Sequence, residues 1–269
     1  MTRGVLFVNP RAGAGGPSVD ELAATASEQG VDVRVLARGE DAGGLAREAD
    51  AAALGVAGGD GSLGQVAAAA VERDLPFVCV PFGTRNHFAR DVGLDRNDPL
   101  AALAAFGGVE RRVDVGRVDG QVFLNNVVLG AYARLVHRRE RHRRRRDALA
   151  RMRALAVLVR HPQPLSLSVN GEPLRARVLL VANNHYDLRL LSLGARERLD
   201  EGLLHLYAAE GVLPSSWEER EGERFRLDGR WRALRAAVDG EPASLALPAD
   251  LVIEPRALRV LVPPEVASG

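Results

Sequence analysis

The chain contains no lysine, so every basic side chain is arginine. That absence excludes the P-loop lysine of G-x-x-x-x-G-K-[ST], a Schiff-base lysine and a lysine anchor for pyridoxal phosphate. Cysteine is nearly absent as well. Cys79 stands alone, which rules out an internal disulfide and a Cys-cluster zinc site. Within the apolar run Phe77 to Val80 it reads as a buried core thiol rather than a nucleophile. No apolar run approaches the ~20 residues of a membrane span. Met1 to Gly4 lead straight into a strand pattern in place of a signal-peptide h-region, so the expectation is a cytoplasmic protein. The net charge of +1 shows no overall bias toward nucleic acid. There is no G-x-S-x-G elbow for a serine hydrolase. His137 and His142 are five apart, so on a helix they point in different directions and make no metal pair.

What is present organises around Leu54 to Gly64, LGVAGGDGSLG. An apolar strand runs into Gly58-Gly59-Asp60-Gly61-Ser62 and then into a helical pattern from Leu63 to Arg73. A strand ending in glycines before a helix start leaves backbone N–H groups free to face an anion, and the missing Cβ atoms let phosphate come close. Asp60 sharpens this, because a carboxylate beside a phosphate is repelled unless a divalent cation lies between them or it is placed to take a proton. Magnesium is the implied cation. A plain glycine-rich turn, with Asp60 or Ser62 as the helix N-cap, is the alternative.

The 269 residues, 46% of them hydrophobic, are enough for a large core and suggest two domains. Gly4 to Asn9 reads as a buried strand, followed by a glycine-rich loop Pro10 to Pro17 and a helix capped by Ser18 and running to about Gln29. Val31 to Leu36 is a second strand, Ala42 to Ala49 a helix, Ala52 to Ala57 a third strand and Phe77 to Val80 a fourth. This alternation specifies a mostly parallel sheet in an α/β domain, with ligands at the carboxyl ends of the strands. Asn9 to Gly16, Gly58 to Ser62 and Pro81 to Asn86 are the loops so placed. A dinucleotide fingerprint fails at the first loop. Ser18 stands where the third glycine after Gly13 and Gly15 belongs, and no acidic residue closes the second strand at Leu36.

From about Arg111 the pattern changes. Val113 to Val118 and Val122 to Leu129 flank Asp119-Gly120, and Leu165 to Val169 and Leu174 to Ala182 flank Asn170-Gly171. Leu203 to Ala208, Phe225 to Leu227 with Asp228-Gly229, and Leu234 to Val238 with Asp239-Gly240 continue the series. Repeated hairpin signals with short strands predict a C-terminal antiparallel β-sandwich domain, with the boundary near Gly108 to Val115. One predicted helix interrupts them. Tyr132 to Arg160 carries RRERHRRRR (Arg138 to Arg146), read either as a solvated face or as a contact for an anionic membrane surface. Nucleic acid fits less well, because no aromatic residues interleave with the arginines.

Six segments, NPRAG (Asn9 to Gly13), GGDGS (Gly58 to Ser62), PFGTRNHFARD (Pro81 to Asp91), FLNNVVLGAYA (Phe123 to Ala133), LDEGLL (Leu199 to Leu204) and VDGEPASLALP (Val238 to Pro248), come in the order of the diacylglycerol kinase catalytic-domain family. The resemblance, to bacterial lipid kinases and sphingosine kinases, runs over essentially the whole chain. It implies a three-layer α/β domain of residues 1–112 and 256–269, to which the segment Leu258 to Val262 returns, and a β-sandwich domain of residues 113–255 with the arginine-rich helix inserted. It implies ATP and Mg²⁺ as cofactors, with Asn9, Gly58, Gly59, Gly61 and Thr84 on the nucleotide phosphates and Ser62 and Asn86 in the same loops. Arg11 and Arg85 stand where arginine can replace a P-loop lysine, with a surface role as the alternative. Glu241 matches the general base for the lipid hydroxyl. Asp60 would organise Mg²⁺ or act as the base itself, and Asp200 and Glu201 match a second metal loop.

Three departures stand out. Ser62 replaces a threonine and keeps the hydroxyl. His87 stands where many members have Asp, and Glu201 replaces the second Asp of a D-D-G segment. The leading expectation is an ATP- and Mg²⁺-dependent lipid kinase acting on diacylglycerol or a related long-chain alcohol. Its partners would be a nucleotide and a lipid at a membrane surface, with attachment to the inner face of the membrane and room for a homodimer but no nucleic acid. A family member that binds nucleotide or lipid without turnover, and a soluble-substrate kinase related to the NAD kinases, are the alternatives.

Overall fold

The computed structural model describes residues 4–12, 16–83, 86–130, 164–186, 196–209 and 217–267. Gly13, Gly15, Thr84, Arg85 and the arginine-rich segment with His137 and His142 lie outside the described residues. The chain divides into two compact units, Met1–Val115 with Pro255–Gly269, and Gly116–Glu254.

In the first unit the strands β1 (Gly4–Val8), β2 (Asp32–Val35), β3 (Ala53–Gly58) and β4 (Phe77–Pro81) pair in the order β2-β1-β3-β4. All three pairings are parallel. Strands β3 and β4 are buried along their whole length, while the edge strand β2 is not. That is why the inner two read as unbroken apolar runs. The helices α1 (Val19–Glu28), α2 (Ala42–Glu48) and α3 (Asp60–Glu72) connect the strands. Ser18 caps α1 as the sequence indicates, its Oγ accepting from the Glu21 N–H at 3.1 Å. The short helix α4 (His87–Asp91) follows β4. A 3-10 helix, Ala101–Gly107, then lays Phe106 over the bare Cα atoms of Gly4 and Gly55, where a Cβ would fall 2.6 and 2.4 Å from the ring.

Register sets the carboxyl ends side by side, Val8 opposite Ala57 and Ala57 opposite Val80. The strand order reverses between β1 and β3, since β1 runs on to β2 at one side and the chain returns to β3 at the other. Open α/β sheets bind ligands at such a switch point. The last part of β16 (Ala249–Val262) adds to this sheet, pairing parallel with β4 through Val260 and Leu261.

The second unit contains two layers of antiparallel strands. One has the order β12 (Trp217–Gly222), β11 (Leu204–Ala209), β10 (Val178–Asn183), β7 (Asn126–Gly130), β14 (Ala233–Val238) and β15 (Glu241–Ala246). The other includes the end of β5 (Val109–Val118), β6 (Gln121–Phe123), β8 (Leu165–Val169), β9 (Glu172–Ala176), β13 (Arg224–Asp228) and the start of β16. Alternate residues from both layers make one core. Val127, Leu129, Leu179, Val181, Leu204 and Leu206 come from the first layer, and Leu167, Val169, Phe225, Leu227, Leu251 and Ile253 from the second. Period-2 alternation with two inner faces interdigitating is the packing of a β-sandwich, so the expected fold class of α/β plus antiparallel β-sandwich is what the chain adopts.

Three of the hairpins form at the expected turns. Asp119-Gly120, Asn170-Gly171 and Asp239-Gly240 each place both residues at positive φ, between 48° and 87°, as a two-residue type I′ turn requires. The adjoining pairs Val118 with Gln121, Val169 with Glu172 and Val238 with Glu241 close them.

Asp228-Gly229 does not form one. Neither residue has positive φ. Strand β13 pairs with β8 and β16, and β14, on the far side of this turn, belongs to the other layer. Two predicted strands are also divided. Val122 to Leu129 breaks at Leu124-Asn125 into β6 and β7, and Leu174 to Ala182 breaks at Arg177 into β9 and β10, each pair split between the layers. The second break is tight. The Arg177 carbonyl crosses so near Gly130, at φ 87°, that a Cβ there would lie 2.3 Å from its oxygen.

Candidate active site

The loops that follow β1, β3 and β4 in the first unit meet beside the switch point. The Asn9 N–H, at the end of β1, donates to the Ala57 carbonyl at 2.9 Å, and its Nδ2 donates to Ser62 Oγ at 2.9 Å. Its Oδ1 accepts from the Arg11 N–H at 3.2 Å, which turns the chain sharply after the strand. Two of the nucleotide candidates, Asn9 and Ser62, are therefore directly bonded, while the Arg11 side chain is exposed. Helix α3 begins at Asp60 with Gly59 as its N-cap and no side-chain cap, so neither Asp60 nor Ser62 serves as the N-cap. The Ser62 hydroxyl is committed to Asn9 instead, and glycine is an acceptable cap without a side chain.

Gly58, Gly59 and Gly83 are spaced for close approach. A Cβ on Gly58 would fall 2.9 Å from Ser62 Cβ, and one on Gly83 would fall 2.6 Å from Gly59 Cα. The loop after β4 is folded on itself. The Gly83 N–H donates to Asn86 Oδ1 and Asn86 Nδ2 donates back to the Gly83 carbonyl, both at 2.9 Å. Asn86 is buried at φ 49°, a conformation that asparagine tolerates. Thr84, between these two residues, lies outside the described residues.

Asp60 occupies the first turn of α3, where the helix N-terminus favours a negative charge. Its Oδ1 is buried. Burial pushes the Cys79 thiol well above its ordinary range, and the negative charge of Asp60 pushes the same way. That thiol is an inert core group, as its sequence context suggests.

In the second unit the centre of the polar structure is Asp239. Its buried carboxylate accepts three backbone N–H groups, from Leu124 at 2.7 Å, Asn125 at 2.7 Å and Asn126 at 3.0 Å. Burial pushes the Asp239 carboxyl above its ordinary range, against the pull of the three N–H donors and of Arg196. Arg196 Nη1 donates to the carbonyls of Leu124 at 2.6 Å and Asn183 at 3.1 Å, and its Nη2 to Asn125 Oδ1 at 3.0 Å. Glu241, two residues after Asp239, is exposed at the start of β15. The sequence singled out Glu241 and passed over Asp239, Asn125, Asn183 and Arg196. The available signal was asparagine pairs, Asn125-Asn126 and Asn183-Asn184, inside otherwise apolar strands.

Asp200 and Glu201 lie in the segment before β11. Asp200 Oδ1 accepts from Arg198 Nη2 at 3.2 Å. Glu201 Oε2 accepts from the His185 N–H at 2.8 Å and lies 3.4 Å from His205 Nε2, and the Glu201 N–H donates to Asn184 Oδ1 at 3.0 Å. The longer carboxylate is thus tied back to the sheet. Among the described residues no three His, Cys, Asp or Glu side chains are grouped to hold a metal ion. Mg²⁺ typically takes one or two carboxylates and completes its shell with phosphate oxygens and water. The single carboxylate of Asp60 beside the glycine loops fits a cation that arrives with a nucleotide. Asp200 and Glu201 make a weaker set.

Residues 3–118 match the family model for the diacylglycerol kinase catalytic domain. A probable lipid kinase YegS-like from Pseudomonas fluorescens is 41% identical over 100 residues, which span 35% of this chain and 33% of that protein. A protein of the same description from Klebsiella pneumoniae is 26% identical over 288 residues, 97% of this chain and 96% of its own length. The fold matches the crystal structure of a diacylglycerol kinase from Bacillus anthracis at 18% identity, with a TM-score of 0.74 over 98% of both chains. Residues 3–118 are therefore similar to the diacylglycerol kinase catalytic domain, and the fold of the whole chain is that of the solved structure.

Proposed function

We propose that the chain is a lipid kinase that transfers the γ-phosphate of ATP, as its Mg²⁺ complex, to a hydroxyl of diacylglycerol or a related long-chain alcohol. The observation that carries this is the conjunction at the carboxyl ends of β1, β3 and β4. Asn9 is bonded to Ser62 there, Gly59 and Gly83 leave bare backbone in close approach, and Asp60 opens α3. Phosphoryl transfer asks mainly for positioning and charge neutralisation. The glycine backbone and the start of α3 hold the phosphates, Asn9 and Ser62 fix the two loops relative to each other, and Asp60 holds the cation. When bound, Mg²⁺ neutralises charge that develops on the phosphate oxygens. Glu241 accepts the proton of the attacking hydroxyl as its oxygen bonds to the γ-phosphorus and ADP leaves with the cleaved bond's electron pair. Arg138 to Arg146 supply the attraction to an anionic lipid surface. No helix among the described residues is long and apolar enough to cross a membrane.

The tie of Glu201 to the His185 backbone favours a second reading, a nucleotide- or lipid-binding member without turnover. Incubating the protein with Mg²⁺-ATP and a panel of diacylglycerols, sphingoid bases and water-soluble alcohols separates the readings. Phospholipid formation supports the kinase, binding without transfer supports the second reading, and transfer only to a soluble acceptor refutes both.

A further inference from the structure

Asp239 opens the type I′ turn that joins β14 to β15, at φ 48° with Gly240 at φ 80°. Its N–H donates to the Asn126 carbonyl at 2.9 Å, and its carboxylate takes the three N–H groups of Leu124, Asn125 and Asn126. One residue thus fastens the turn to the β6–β7 bend by four hydrogen bonds, across more than a hundred residues of sequence. The bend is fastened from its other side. The Leu124 carbonyl accepts from Arg196 Nη1 at 2.6 Å and from Asn183 Nδ2 at 3.1 Å, and the Asn183 N–H donates to the Asn125 carbonyl at 2.9 Å. Asp239, Arg196, Asn125 and Asn183 are all at most 8% exposed. A buried charge is retained when every lone pair and proton is satisfied, and a network so satisfied is rigid.

Glu241 is the first residue beyond this turn, paired with Val238. It is exposed, and the backbone from which it springs is the one that this turn fixes. A proton acceptor must be held within a fraction of an ångström of its productive place, and the restraint has to come from the surrounding shell.

We propose that Asp239 is a positioning residue for Glu241, and that Arg196 is the second half of the same latch. Neither touches substrate. They fix the turn from which the base reaches the lipid hydroxyl. The inference rests on the lipid kinase reading with Glu241 as the base. Asp239→Asn is the sharpest perturbation, because a carboxamide has one oxygen. That oxygen can keep the two N–H groups now on Oδ1, but the amide nitrogen then meets the Leu124 N–H donor to donor. Arg196→Lys is gentler, since an ammonium has no planar fork to reach both carbonyls and Asn125 Oδ1.

The experiment measures kcat and KM for lipid and for Mg²⁺-ATP in Asp239→Asn and Arg196→Lys, each alone and combined with Glu241→Gln, with folding followed by circular dichroism. Asp239→Asn is expected to lower kcat roughly thirtyfold and Arg196→Lys about fivefold, with the nucleotide KM within about twofold of wild type. In the Glu241→Gln background neither should lower the residual rate further, because the group they position is gone. A wild-type kcat in Asp239→Asn, or the same proportional loss with and without Glu241, overturns the proposal. Should Asp239→Asn fail to fold, Arg196→Lys with and without Glu241→Gln decides by the same criteria. If the wild-type protein phosphorylates no lipid in the panel, the kinase reading fails and the proposal falls with it. Transfer by wild type with Asp239→Asn unimpaired removes the proposal alone.

Discussion

Replacing Gly83 with alanine would place a methyl group 2.6 Å from Gly59 Cα, 2.9 Å from Asn86 Oδ1 and 3.2 Å from Gly59 N. Non-bonded carbons rest at about 3.5–4.0 Å, so the methyl is short of room by about 1 Å. Its obstacle is backbone rather than the end of a flexible side chain. Overpacking of this kind costs about 1–3 kcal/mol. The strain falls on the two loops assigned to the nucleotide, where a misplacement of about 1 Å can cost on the order of a hundredfold. Gly59→Ala is the matched control. Its Cβ would lie 3.9 Å from Gly83 Cα, an ordinary contact, and its φ of −89° suits any residue. The fold should lose at most about 1 kcal/mol, the difference between glycine and alanine at an N-cap. On the proposed lipid kinase reading, the same Cβ would stand where a phosphate approaches. Thermal unfolding paired with calorimetric titration of Mg²⁺-ATP reads both effects. Gly83→Ala should melt several degrees lower and bind nucleotide far more weakly, whereas Gly59→Ala should melt close to wild type and still lose binding. Unchanged melting and affinity in Gly83→Ala would refute the close-approach reasoning, and wild-type affinity in Gly59→Ala would remove this turn from the phosphate site.

Asp60→Asn should fold normally and lose lipid phosphorylation by roughly a hundredfold or more, the range of positioned metal-organising or acid–base groups; near-normal turnover would sink its assignment. A stability prediction comes from Glu110. Its Oε2 accepts from Arg259 Nη2 at 2.7 Å and Nε at 2.9 Å, and this pairing holds the Glu110 carboxyl below its ordinary value of 4.5. A depressed carboxylate stabilises the fold above its unfolded value, and that contribution is lost as the pH falls through the folded value. Both side chains are a quarter to a third exposed, which limits the contribution to below about 1 kcal/mol. Urea unfolding of Glu110→Gln should therefore show a small deficit near neutral pH that vanishes in strong acid, and an equal deficit at both would rule out the charge as its source.

Much of the architecture is a matter of neighbours in the chain. Asp or Asn followed by Gly prefers positive φ at both positions because glycine has no Cβ and the short polar side chains tolerate the left-handed region. Asp119-Gly120, Asn170-Gly171 and Asp239-Gly240 duly make their turns. The unbroken apolar runs of β3 and β4 similarly announce strands covered on both faces, and the glycines after β3 announce bare backbone at a strand end. Asp228-Gly229 carries the same local signal and forms no such turn, because its flanking strands have better partners in opposite layers. The asparagine pair after Leu124 is the one local sign of the break there, and it does not say what satisfies the freed peptide groups. Asp239 takes up the three consecutive N–H groups at the break from 113 to 115 residues away. Arg196 looks like one surface arginine among many until the fold buries it on two carbonyls and an asparagine. Glu201, chosen from sequence as a cation ligand, also accepts a backbone N–H from His185, a partner that its own segment does not announce. Turn chemistry and strand character act over a few residues and are legible locally. Which buried carboxylate or guanidinium satisfies which peptide group depends on chain segments that only the packed sheets bring within 3 Å, and the cost of leaving such groups unpaired is what decides it.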